Sequence, residues 1–239
     1  MAVRVSGTTV IDDAFDLSDV RLVRATPMRE QIYLILRSLI LTARLQPGEV
    51  VDEKAIAAKL GVSRTPVHEA VMRLSHEGLV DVRAQSRTLV SKIYRSQIRE
   101  AFLIRRALET ECVAEAASRM TPAAHNTLED LLMLHQAAIN RRSFAEALRL
   151  DDAFHHAISE IAELPSLWHA IEVSKAPLDR CRYLTIPLPG NAAATIAQHR
   201  VVIDALANRN RSAARRAMKS HLEQAYEVIL QFLRGSGIT

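Results

Sequence analysis

The chain has 239 residues, 49% hydrophobic and 24% charged, with a formal net charge of +4, which is ordinary globular composition with room for two modest domains. No apolar run approaches the ~18 residues of a membrane span, and aromatic residues at 4% argue against a base-stacking RNA surface. The charge is uneven: residues 1–20 hold one Arg against four Asp, residues 21–95 hold thirteen Lys and Arg against seven acids, and the remainder is nearly balanced, so a polyanion such as DNA would meet the second of these segments.

In chain order, residues 1–24 are polar and acidic and predict a flexible tail. They lack a basic start followed by an apolar block, so no secretory signal is expected. Residues 28–44 place apolar side chains at 32, 35, 36, 39 and 40, a helical stripe that stops at the Pro47-Gly48 turn. Asp52 is positioned to cap a short helix over 52–60, and Gly61 to end it. Ser63 can cap the next helix, 63–78, on which Val67, Val71 and Leu74 face inward. Two short helices joined by a tight Gly turn form a helix-turn-helix. LVDVR and TLVSKI around AQSR then read as a small β-hairpin, a wing.

The stretch LQPGEVVDEKAIAAKLGVSRTPVHEAVMRLSHEGLV resembles the winged helix of GntR-type bacterial transcription regulators, above all in GVSRTPV. The resemblance implies that the second helix enters the major groove by its N-terminal turn. Ser63, Arg64, Thr65 and His68 on that helix, Lys54 before it and Arg87 at the wing tip are the expected contacts to double-stranded DNA. Arg64 has the fork that matches guanine N7 and O6. Two residues depart from the family pattern: His68 stands where Arg is usual, and Arg87 where Gly is common.

Residues 95–235 predict an all-α antiparallel bundle of six helices, over 96–120, 121–141, 143–163, 165–184, 192–209 and 211–234, the fourth kinked or stopped near Pro177. Cys112 and Cys181 fall far apart inside helical patterns, the usage of a reduced, cytoplasmic protein. On the third of these helices Asp151 and His155 interrupt the apolar stripe and point inward, whereas Asp152 and His156 lie about 100° round and are expected to face water. His199 and His221 interrupt apolar stripes in the same way. Buried polar groups need partners. An inward Asp and three inward His form an Asp-His₃ set suited to Zn²⁺ first, with Ni²⁺ or Mn²⁺ as alternatives and positions left open for a ligand; the other reading is a satisfied polar core. His76, His125, His135 and His169 receive no task.

RRALE at 105–109, DDAFH at 151–155, and the histidines of AQHRVVIDAL and MKSHL are similar to the FCD effector domain of the fatty-acid-regulator-like branch of the GntR family. The resemblance implies that Asp151, His155, His199 and His221 hold a divalent metal, and that Arg105 lies in an effector pocket. A structural salt bridge from Arg105 to Glu109 or Asp151 is the other reading, and Arg182 is a second effector candidate. Gln198, where Glu is frequent, and Asn210, where Asp often precedes the last helix, are departures. The expected function is thus a dimeric, non-enzymatic transcription regulator, a repressor. It would bind a palindromic operator and be controlled by a small organic acid at the metal. The alternatives are a metal sensor, in which the ion is itself the signal, and a metal-dependent hydrolase.

Overall fold

The structure is a computed structural model that describes Leu22, residues 26–82 and residues 87–236. The chain divides into two compact units, one ending at Lys92 and the other starting at Ile93. Residues 1–24, expected as a tail, lie outside the described residues apart from Leu22.

In the first unit, α1 (Met28–Leu41) buries Ile32, Tyr33, Leu36, Leu39 and Ile40, a stripe at helical spacing. The Asp52 carboxylate caps α2 (Glu53–Leu60), accepting from the amides of Lys54 and Ala55 at 2.9 and 3.0 Å. Gly61 closes this helix at φ 65°, a left-handed conformation that glycine adopts without a Cβ penalty. α3 (Arg64–His76) buries Val67, Ala70, Val71 and Leu74 and packs on α1 and α2. Ser63 occupies the N-cap position, but its side chain makes no capping bond, contrary to expectation. Ser63, Arg64 and Thr65 are exposed, so water can satisfy the free amides of that first turn.

The wing is an antiparallel pair, β1 (Val80–Val82) and β2 (Thr88–Val90). Of its expected turn, 84–87, only Arg87 is among the described residues. The segment before α2 lies along β2. The Gly48 amide donates to the Val90 carbonyl, the Val90 amide to the Glu49 carbonyl and the Val51 amide to the Thr88 carbonyl, each at 2.8 Å. The Pro-Gly turn thus protects a wing edge that would otherwise be open.

The second unit holds α4 (Arg95–Arg119), α5 (Pro122–Asn140), α6 (Phe144–Ile161), α7 (Pro165–Ser174), α8 (Ala176–Thr185), α9 (Asn191–Ala207) and α10 (Arg211–Ser236). The expected fourth helix is two helices, α7 and α8, separated at Lys175, because Pro177 has no N–H to continue the ladder. α10 packs along α4 and α9, and α5 along α6 and α9. Their shared core includes Phe102, Leu128, Phe154, Ile158, Ile203 and Leu222. No helix among the described residues is long and apolar enough to cross a membrane.

Replacing the α2 cap, Asp52→Ala, leaves two amides without their acceptor and is expected to weaken that helix by about 1 kcal/mol. Hydrogen exchange at the α2 amides should become several-fold faster, with the α10 amides unchanged.

Candidate metal centre

Asp151 and His155 lie one turn apart on α6, His199 on α9 and His221 on α10, and all four are buried. Their ligand atoms lie within 4.8 Å of one another. His221 Nε2 is 3.3 Å from His155 Nε2, His155 Nε2 is 3.7 Å from Asp151 Oδ2, and His199 Nε2 is 3.5 Å from Asp151 Oδ1. Donors sharing one ion through bonds of ~2.1 Å stand ~3.0–3.4 Å apart, so the cluster is close to a coordination sphere.

The partners of the outer ring nitrogens show what the inner ones present. His221 Nδ1 faces Gln198 Oε1 at 2.7 Å, and the Gln198 amide nitrogen donates to Gln224 Oε1, which fixes the amide orientation. His155 Nδ1 approaches Glu109 Oε2 at 2.5 Å, at hydrogen-bond distance though off hydrogen-bond angle. Both outer positions therefore face acceptors, and the N–H of each ring belongs there. The two Nε2 lone pairs are left facing each other beside a carboxylate, an arrangement that a proton or a cation between them would satisfy. A proton there does nothing for His199, whose two ring nitrogens are both buried without a hydrogen-bond partner among the described residues. A divalent ion would take the Nε2 atoms of all three rings together with Asp151, so the residues fit the group.

Burial works against charge throughout the cluster. It opposes the Asp151 carboxylate, but the Arg182 guanidinium and the neighbouring imidazoles outweigh it and hold the carboxyl well below its ordinary value. Burial and the surrounding imidazoles push His199 well down, and burial lowers His221 to about 3. Glu109 is likewise opposed by burial, yet Arg105 and His155 bring it down to about 2.

Sequence reasoning named Glu109 only as a salt-bridge partner of Arg105, a pair the structure contains, and missed its place behind His155. It lies one turn past Arg105 on α4, and its other oxygen pairs with Arg105 Nε. The charged residue in RRALE was the available signal, but its direction toward His155 depends on how α4 packs on α6. Asp152 is a correction. It does not face water freely but pairs with Lys175 Nζ at 2.5 Å and Arg182 Nη1 at 3.0 Å, because the α7–α8 break brings both cations over α6. Arg182 also pairs with Asp179 at 3.0 Å and with Asp151. His156 is half-buried and stacks on Trp168, with ring centroids 5.2 Å apart.

A cleft with a void of about 40 Å³ adjoins the cluster, lined by Arg105, His135, Asp151, Arg182, Thr195 and His221 among others. One water needs ~10–15 Å³, so the cleft can take more than a single solvent molecule. Arg105 Nη2 is buried with no hydrogen-bond partner among the described residues. His135, without a task in the sequence, is buried and lines the cleft, its Nδ1 without a hydrogen-bond partner among the described residues.

Lys54, Ser63, Arg64, Thr65 and His68 are all exposed on α2, α3 and the turn between them, and Arg87 is exposed at the start of β2. His68 Nδ1 stands 3.2 Å from both Glu53 carboxylate oxygens. The other five make no described side-chain hydrogen bond or ion pair.

Two family models match the chain: the FCD domain over residues 100–224 and bacterial regulatory proteins of the gntR family over residues 28–90. The HTH-type transcriptional repressor RspR of Escherichia coli is 35% identical over 205 residues, 86% of this chain and 90% of that protein. A probable D-xylose utilization operon transcriptional repressor of Paenarthrobacter nicotinovorans is 31% identical over 212 residues, 87% of this chain and 90% of that one. Among solved structures, E. coli McbR/YncC superposes with a TM-score of 0.75 at 24% identity, covering 86% of this chain and 98% of its own. At that identity the likeness speaks for the fold.

Glu109→Gln should weaken Zn²⁺ binding about 10- to 100-fold, since a carboxylate behind a ligating imidazole orients it and raises its basicity; competition against a zinc-binding dye measures this. Chelator-treated protein should lose stability as the pH falls below about 6.5. The unfolded histidines take up protons there, whereas folded His221 does so only near pH 3 and His199 also well below its ordinary value. Unfolding therefore binds protons across that window. Urea midpoints between pH 7.5 and 5 should decline, and His199→Ala should flatten the slope.

Proposed function

The chain belongs to the GntR family of bacterial regulatory proteins and carries an FCD domain behind its winged helix; on that basis we propose that it is a repressor whose operator binding is controlled by a small carboxylate at a metal ion. It is a transcriptional regulator of the GntR/FCD type. The reading beyond that rests on one observation. Four buried candidate ligand groups converge beside a cleft lined by Arg105, whose buried Nη2 has no hydrogen-bond partner among the described residues.

Asp151, His155, His199 and His221 would hold the ion. When bound, it supplies a positively charged anchor for one carboxylate oxygen. Arg105, braced at Nε by Glu109, presents Nη2 to take another oxygen. Arg182, already engaged with three aspartates, positions Asp151. These groups come from α4, α6, α8, α9 and α10, so a bound acid would bear on five helices at once and favour whichever arrangement of the unit closes around it. In the first unit Arg64 and Thr65 open the helix that reads DNA. Because one such helix reads only a few base pairs, a homodimer on a palindromic operator follows. The names of the E. coli and Paenarthrobacter relatives favour repression.

The metal-sensor reading is favoured by how deeply the cluster is buried, since an ion there completes a charge arrangement inside the core. The hydrolase reading has less support. Glu109, Asp152 and Asp179, carboxylates of the ion-pair network around Asp151, are each paired with a cation, so none of the three stands ready as a general base.

A thermal-shift screen of small mono- and dicarboxylates, on Zn²⁺-loaded and chelator-treated protein side by side, tests the proposal. An acid that raises the midpoint of the loaded protein alone, and that releases operator DNA in a mobility-shift assay, is the expected result. If no acid shifts the midpoint while Zn²⁺ alone alters operator affinity, the effector reading is wrong and the ion is the signal.

A further inference from the structure

The outer face of α3 carries an imidazole whose tautomer is set by its neighbour. The His68 side chain is 58% exposed, one turn into α3, while Glu53, the first residue of α2, is only 15% exposed. His68 Nδ1 lies 3.2 Å from both Glu53 oxygens. A carboxylate only accepts hydrogen bonds, and a neutral imidazole carries a single N–H. That N–H therefore belongs on Nδ1. Nε2 is left as a bare acceptor, and it has no partner among the described residues.

In the major groove, amino donors are offered by adenine N6 and cytosine N4, whereas guanine presents acceptors at N7 and O6 and thymine one at O4. A guanidinium at this position, having donors only, would choose guanine. From the Glu53–His68 geometry we infer that this chain selects adenine or cytosine at the base that residue 68 meets. Glu53, which itself need not touch DNA, is the positioning residue that sets this preference. The inference rests on the proposed reading of DNA by α3.

The test is selection of binding sites from a randomised duplex library at pH 8, using the full-length protein and three variants. All three substitutions lie on or beside exposed surface, and circular dichroism verifies the fold. His68→Arg should change one position of each half-site from adenine or cytosine to guanine, by about five- to tenfold in relative affinity, leaving the other positions as they were. Glu53→Gln, whose amide can donate to Nδ1 as well as accept from it, should relax the preference at that same position to below about twofold. Arg64→Ala should abolish selection altogether. If the wild type prefers guanine or thymine at the position that His68→Arg alters, or if Glu53→Gln keeps the full preference, the inference is overturned. If His68→Arg changes no position while Arg64→Ala still abolishes selection, the inference alone falls. If the wild type enriches no sequence, or Arg64→Ala selects as the wild type does, the DNA-reading assignment fails and the inference falls with it.

Discussion

The second unit is organised around one carboxylate kept charged where water is excluded. Asp151 is 4% exposed, and an isolated ion at such depth is far too costly to persist. It persists because opposing groups arrive from several helices. Arg182 comes from α8, His199 from α9, and His155 from one turn along its own helix. Each partner is buried in turn and needs its own counterpart. That need spreads the polar network outward to Glu109, Arg105, Asp152, Asp179 and Lys175.

This chain of dependence has a structural price in the helix path. Lys175 reaches Asp152 and Asp179 from the break between α7 and α8, and Pro177 makes that break obligatory. A continuous helix over the same residues would carry Lys175 and Arg182 on a different course. The break is therefore part of how the bundle brings cations to α6. Other polar atoms of the region, His199 Nε2, Arg105 Nη2 and His135 Nδ1 among them, are buried with no hydrogen-bond partner among the described residues. The same Arg182 that braces Asp151 also lines the cleft, so satisfied and unsatisfied groups meet at one wall. The first unit applies the same logic at its surface, where Glu53 fixes one side of the His68 ring and leaves the other for a partner outside the chain.

Much of this was legible in the sequence, and for identifiable reasons. Asp52 and Gly61 marked α2 because capping is local chemistry, readable within three residues. The inward direction of Asp151, His155, His199 and His221 followed from helical periodicity, since a polar residue on an apolar stripe has only one way to point. The ends of α5, α6 and α9 were legible to within about two residues, but the form of their closing turns was not. α5, α6 and α9 each end in a turn through a non-glycine residue, Arg142, Glu163 or Arg209, at φ 57°, 60° and 51°. Nothing in those residue types announces a left-handed turn; backbone bonds such as Arg142 N–H to the Ile139 carbonyl at 2.8 Å accompany it.

By itself the sequence determined the fold class, the helix-turn-helix with its wing, the family and the inward direction of the four candidate ligand residues, all of which depend on local pattern or on contiguous motif. Only the tertiary structure decided which charges meet. Glu109 turned out to stand behind His155, Asp152 to be held by Lys175 and Arg182, Glu53 to face His68, and the Pro-Gly segment to line the wing. Each of these pairs joins different elements, 15 to 46 residues apart for the charged groups. Periodicity tells which way a side chain leaves its own helix. It carries no information about which neighbouring helix lies there, because that is set by the packing of whole apolar faces against one another.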